Sequence, residues 1–215
     1  MGENSSIQAL LRSLRAASLL LSASLLAPSL VSCGNSGRDD RAGGTGQLPI
    51  GAAIALTGNA SVIGQDQRLG LELARDHFQG NGPALKLTIQ DGGSDEGTAT
   101  NAFRSLIGAN VVALIGPSLS QQAFAVDPIA DRAGIPVIAP SNTAAGIPQI
   151  GPFVARVSAP VAQVAPLSIA AALRLNPKIR SAAVFYAQDD AYSTSESKIF
   201  QQALIARNLK PVAVI

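Results

Sequence analysis

From residue 48 onward, short apolar runs alternate with segments of helical spacing, and this alternation restricts the fold more than any single residue does. Residues 50–56 form an apolar run closed by Thr57-Gly58-Asn59, which reads as a strand and its turn. The spacing over residues 64–78 predicts a helix with Gly70, Leu71, Ala74 and Phe78 on its buried stripe. Arg68, Glu72, Arg75 and Asp76 fall on the wet side. After the turn Asn81-Gly82-Pro83, Leu85, Leu87 and Ile89 alternate with Lys86, Thr88 and Gln90, the pattern of a strand exposed on one face. Beyond the polar loop 91–97, Ala99, Ala102, Phe103, Leu106 and Ile107 recur at helical spacing, ending near Gly108. Residues 111–115 and 135–139 are continuous apolar runs, as expected of strands buried on both faces of a parallel sheet. Between them a helix is expected to begin near Ser120 and end at Gly134, with Pro128 inside it favouring a kink. A β-α-β-α-β-α-β order implies an α/β fold, a parallel sheet between two layers of helices.

The pattern restarts at residues 153–157, a short strand followed by the break Ser158-Ala159-Pro160. A helix rich in Ala and Leu runs to about Leu175, residues 182–186 read as a buried strand, and 188–193 as a polar loop. Residues 195–208 then predict a helix and 212–215 a strand. We therefore assign residues 48–157 to a first α/β lobe and 158–215 to the opening of a second, incomplete one. One continuous sheet is the alternative, and the break at Ser158-Ala159-Pro160 counts against it. Open parallel sheets bind ligands outside the carboxyl ends of their strands. The segments of interest are thus 57–64, 91–97, 117–120 and 140–143.

The N-terminal part has a different character. Arg12 and Arg15 precede the run 16–31, which is almost wholly Leu, Ala and Ser and contains Pro28. This is the layout of a secretory signal over residues 1–32. A membrane-spanning anchor, the other reading, needs about 20 apolar residues, and this run is shorter and diluted by serine. Leu30-Val31-Ser32-Cys33 resembles a bacterial lipobox, in which the cysteine is acylated and becomes the first residue of the mature chain. Cys33 is the only cysteine and so has no disulfide partner within the chain. An unpaired buried thiol is the alternative. Residues 33–47, rich in Gly, Ser, Asp and Arg, read as a flexible tether. The expected location is periplasmic or otherwise extracytoplasmic, with a lipid anchor at a membrane.

Several function classes are set back by composition. The net charge is +2, and removing Glu3, Arg12 and Arg15 with residues 1–32 leaves +1, no footprint for nucleic acid. The single histidine, His77, reads as a surface residue of a helix. With one His and one Cys, no Cys/His metal site can be assembled, and a Ser-His-Asp triad built on His77 would be without good precedent. Phosphate-binding glycine motifs are missing too. Asp189, Asp190 and Glu196 are read as solvated loop acids rather than a cation site. No catalytic residue, metal or cofactor is therefore expected, and an enzyme is the weak hypothesis.

Four stretches carry a resemblance to the leucine/isoleucine/valine-binding proteins, the type I periplasmic solute-binding family. They are Ile54-Ala55-Leu56-Thr57-Gly58 with Gly64 and Gly70-Leu71-Glu72-Leu73-Ala74; Ile89-Gln90-Asp91; Leu114-Ile115-Gly116-Pro117 through Ser120; and Gly134-Ile135-Pro136-Val137-Ile138-Ala139-Pro140-Ser141-Asn142-Thr143. The resemblance implies an interlobe site for a branched-chain amino acid or a similar small amino acid or amide. Ser120, at the start of its helix, would add a hydroxyl donor where helix N–H groups favour a carboxylate; a plain N-cap is the other reading. Thr143 would accept from the ligand's ammonium and Ser141 would offer its carbonyl, unless the Pro-Ser-Asn turn merely satisfies itself. Tyr192, placed in the loop after the second-lobe strand, resembles a cleft-lining position. The loop 59–64 lacks the aromatic that the family often packs on its ligand. The family's acidic partner for the ammonium lies past residue 215, so no residue here inherits that role.

The resemblance further implies an extracytoplasmic solute-binding lipoprotein of an ABC importer, closing its lobes on the ligand and docking on a membrane permease. A truncated, non-transporting remnant and a ligand sensor on the same fold are the alternatives. The last strand is expected to leave an unpaired edge.

Overall fold

The structure is a computed structural model that describes residues 46–80 and 82–215. The signal segment, Cys33 and all but the last two residues of the tether lie outside the described residues. Among the described residues no helix is long and apolar enough to cross a membrane.

Five parallel strands form the larger sheet, in the order β2-β1-β3-β4-β5. They are β1 (Leu48–Ile54), β2 (Leu85–Asp91), β3 (Ala113–Ile115), β4 (Val137–Ala139) and β5 (Val154–Arg156). The helices between them are α1 (Ser61–Phe78), α2 (Glu96–Gly108) and α3 (Ser120–Arg132), and a single 3-10 turn, Ile147–Gln149, precedes β5. A second, two-stranded parallel sheet pairs β6 (Ala182–Val184) with β7 (Pro211–Val214), and carries α4 (Val161–Leu175) and α5 (Ala191–Ile205). Both sheets belong to one compact unit. The expected α/β architecture is present, every strand pair being parallel.

Each sheet has its own apolar core. In the first, Phe103 and Leu106 from α2 meet Leu114 and Val137 from the sheet and Val126 and Ala130 from α3. Spacings of three and four residues on the helices and two on the strands place those side chains on one side of the sheet. A separate cluster under α3 joins Ala123, Ala144, Ile147 and Val154. In the second sheet, Val161, Ala165 and Ile169 of α4 pack on Ala203 and Leu204 of α5.

The helix α1 departs from the sequence expectation. Gly70, Ala74 and Phe78 are exposed, Leu71 is half-buried, and Gly64 is the helix's buried residue. A Cβ on Gly64 would stand 1.9 Å from the Ala55 carbonyl oxygen. Only a bare backbone fits so close, and that contact fixes which side of the helix meets the sheet. Positions 67, 71 and 75 then follow Gly64 inward at helical spacing, and all three are half-buried. The opposite face leaves Val62, Leu69 and Leu73 in water. Pro128 lies within α3 as expected, and the helix continues past it to Arg132.

The second departure concerns α5. It begins at Ala191 rather than near Ser195, because Asp190 caps it: the Ser193 N–H donates to the Asp190 carboxylate at 2.7 Å. Tyr192 and Glu196 therefore stand on the first two turns of a helix and are not loop residues.

Candidate functional site

The carboxyl end of the larger sheet is tied together by side chains that each satisfy backbone groups. Asp91, the last residue of β2, accepts from the N–H groups of Leu56, Thr57 and Gly93 and from the Thr57 hydroxyl. Burial raises its pKa, but these four bonds outweigh that and hold the carboxyl below its usual range. Gln122, buried on α3, donates from Nε2 to the carbonyls of Gly92, Gly93 and Asp95 and accepts from the Leu119 N–H. One glutamine thus fixes the β2–α2 turn against the start of α3.

Ser118 accepts from the Ala55 N–H at 2.9 Å and donates to Oε1 of Gln67. The Nε2 of Gln67 donates to the Ser141 hydroxyl at 2.8 Å, and Ser141 donates to the Ser118 carbonyl at 2.6 Å. This closed circuit locks the loops after β1, β3 and β4 to one another. From β5, Arg156 donates to the Ala144 carbonyl at 2.9 Å, and the Ser158 hydroxyl donates to the Asn142 carbonyl at 2.8 Å. The loop after β4 is therefore braced by the strand that leads toward the second sheet.

These rigid loops line a cleft of about 710 Å³. Asn59, Ala60 and Ile63 come from the start of α1, Ser94 to Glu96 from the start of α2, and Ser118 to Gln122 from the start of α3. Ser141 and Thr143 follow β4; Ala187, Asp189, Asp190 and Tyr192 follow β6. Ser120, Ser141, Thr143 and Tyr192, the four residues singled out from sequence, share this one cavity.

Their chemistry differs in detail from the sequence expectation. Ser120 is the first residue of α3 and Leu119 stands at the N-cap, so Ser120 is not a plain N-cap. Its buried oxygen accepts from the Ala144 N–H at 3.3 Å, which leaves the hydroxyl hydrogen available. Ser141 uses its hydroxyl in both directions within the circuit, so its backbone is what remains to meet a ligand. Thr143 donates to Oε1 of Glu196 at 2.7 Å and retains lone pairs for an incoming donor. Tyr192 also bonds Glu196, and burial, then the Glu196 and Asp190 charges, push its phenol upward. With Ala145 N–H donating to Ser195 Oγ at 2.9 Å, the Thr143–Glu196 bond joins the loop after β4 to α5.

Sequence reading missed Gln67, Ser118, Gln122 and Glu196. Glu196 is not a solvated loop acid: it lies one turn beyond Tyr192 and holds two site residues. Ser118 had a visible signal, two residues before Ser120 in the same loop. Nothing in the sequence marks Gln67, whose partners lie 51 and 74 positions away.

A profile of the periplasmic binding proteins matches residues 47–214. The chain belongs to the periplasmic binding protein family. Solved structures agree with that placement. The leucine-binding protein LivK of Thermotoga maritima superposes with a TM-score of 0.71 at 23% identity, covering 78% of this chain and 49% of LivK. A solute-binding protein of an ABC transporter from Rhodopseudomonas palustris, in complex with 3,4-dihydroxybenzoic acid, gives 0.70 at 19%, covering 79% and 47%. An ABC transporter substrate-binding protein from Sphaerobacter thermophilus gives 0.66 at 26%, covering 78% and 47%. The chain spans about half the length of these proteins. No curated protein sequence matches it.

Proposed function

We propose that this periplasmic binding protein captures a small amino acid or amide in the cleft and presents it to the membrane permease of an ABC importer. It acts by binding, with no reaction assigned to it, and is held at the membrane by lipid on Cys33 after removal of residues 1–32. The observation that carries the reading is the convergence of Ser120, Ser141, Thr143 and Tyr192 on one cavity. The first turn of α3 offers N–H groups and the Ser120 hydroxyl to a carboxylate. The loop after β4 offers the Ser141 carbonyl and the Thr143 oxygen to an ammonium.

Calorimetric titration of the full chain with leucine, valine, basic amino acids and small amides tests this. Heat from one of them with a saturable isotherm is expected; silence across the whole panel overturns it. Ser120→Ala and Thr143→Val are each expected to weaken the bound ligand by about 10-fold or more, the effect of losing a hydrogen bond to a charged group. Equal affinity in both variants would mean that the ligand does not sit on these hydroxyls.

A further inference from the structure

Every ionisable side chain on the cleft wall that is charged at neutral pH is a carboxylate: Asp95, Glu96, Asp189 and Asp190. Among the described residues no Lys, Arg or His lines it. Two of the four are occupied as helix caps. Asp95 accepts from the Thr98 N–H and hydroxyl, and Asp190 accepts from the Ser193 N–H. Both bear on helix N-termini, so much of their charge answers the local backbone. Glu96 and Asp189 are exposed and make no hydrogen bond or ion pair among the described residues. Lys198 lies in an adjoining groove that shares Asp189 and Asp190 and forms no ion pair with either among the described residues, and Arg156, behind the loop after β4, is occupied with the Asn142 and Ala144 carbonyls. Glu196 adds a further carboxylate behind Thr143.

Two helix starts on the wall, those of α1 and α3, carry no acid in the first turn and no side-chain cap, and α3 alone adds a buried serine hydroxyl, that of Ser120. The helix α3 has no acid in its first turn, and its N-cap, Leu119, offers no side-chain acceptor to the helix N–H groups. The start of α3, with its free N–H groups and the Ser120 hydroxyl, therefore offers a seat for an anion inside an otherwise acidic cleft. Large apolar side chains are few: among the described residues Ile63 and Leu119 are the large aliphatics of the wall and Tyr192 its aromatic. A benzoate would bring an anion with no cation to meet the acids. A leucine would bring no side-chain cation to meet Glu96 and Asp189. A ligand with one carboxylate and two cationic groups matches the sign of the charges on the wall.

We infer, on the solute-capture reading above, that the cleft selects an amino acid with a cationic side chain. Its α-carboxylate sits at the start of α3, and its side-chain ammonium or guanidinium lies toward Glu96 and Asp189. It is the cavity that defines the site, and the carboxylates decide what the site prefers. Titrating the full chain with arginine, lysine, leucine and 3,4-dihydroxybenzoate at about 50 mM and about 500 mM salt tests the preference. Arginine or lysine is expected to bind at least ~10-fold tighter than leucine, with the ratio shrinking at high salt as the charges are screened. Glu96→Gln and Asp189→Asn are each expected to cut the arginine-to-leucine ratio about 3- to 10-fold. Neither side chain holds part of the fold, and unchanged thermal melts of the variants verify that. Leucine binding as tightly as arginine, with the ratio unmoved by both variants, overturns the charge preference while solute capture stands. Tight binding of the benzoate also overturns it. No heat from any amino acid removes the charge preference, and silence from the small amides as well removes both readings.

Discussion

Replacing Gly116 with alanine is expected to destabilise the larger sheet by about 4 kcal/mol or more and to abolish ligand binding. Gly116 joins β3 to the loop that leads into α3, at φ +121°, where an L side chain is strained. An added Cβ would lie 2.1 Å from the Ala53 carbonyl oxygen. Ala53 belongs to β1 in the middle of the sheet and is buried, so neither backbone can retreat without parting β1 from β3. Loss of that approach would also shift Ser118, whose hydroxyl holds the Ala55 N–H, and with it the start of α3. A thermal melt shows the effect, since 4 kcal/mol corresponds to roughly 8–16 °C for a chain of this size. The internal control is Gly70, on the exposed face of α1 with nothing within 4 Å of its would-be Cβ. Gly70→Ala should raise stability by about 0.5–1 kcal/mol, the helix-propensity difference alone. A melt for Gly116→Ala within about 2 °C of the wild type would show that β1 and β3 can separate at little cost.

The contrast between those two glycines also shows what can be read from the sequence and what cannot. Both sit in family-like stretches, and pattern alone placed Gly70 on the buried stripe of α1. Coordinates place it in water, and put Gly64 against Ala55 instead. Helical periodicity identifies the helix securely, since its 18 residues keep one phase. It does not choose between faces when apolar residues lie on both, as Leu69 and Leu73 do opposite Leu71. A close backbone approach made that choice, and no periodicity encodes it. For α5 the obstacle was local: Asp190 caps a helix whose first turn, Ala191-Tyr192-Ser193, is polar enough to pass for loop. The site divides in the same way. Ser120, Ser141 and Thr143 follow strands at the sheet's carboxyl end, so topology alone brings them together. Gln67, Gln122 and Glu196 act by reaching across between elements, and their roles exist only once those elements are assembled.

Asp127 provides the second large effect, and its sign depends on pH. It is fully buried in α3, and neither carboxylate oxygen has a hydrogen-bond partner among the described residues. On the same helix Val126 and Ala130 belong to the main core, and Ala123, one turn before Asp127, packs with Ile147 and Val154. Burial with nothing to offset it pushes the carboxyl from 3.8 up to about 7. Below pH 3.8 folded and unfolded chains both carry the proton, and the group has no pH-dependent effect. Between 3.8 and 7 the unfolded chain releases it while the folded chain keeps it. Stability therefore falls as pH rises through this window and levels off above pH 7, after a loss of about 2–4 kcal/mol. Asp127→Asn removes the titration and keeps the shape. At pH 8 the variant is expected to be more stable than the wild type by about 2–4 kcal/mol. Near pH 4 the two should nearly coincide. Asp91 and Asp95, both held below their usual range, act with the opposite sign and only under more acidic conditions. The difference between variant and wild type isolates Asp127 from them. Denaturant unfolding of both chains at intervals from pH 4 to 8 measures that difference. A constant gap across the range would mean that the carboxyl ionises normally, and that water or a polar group reaches it inside α3.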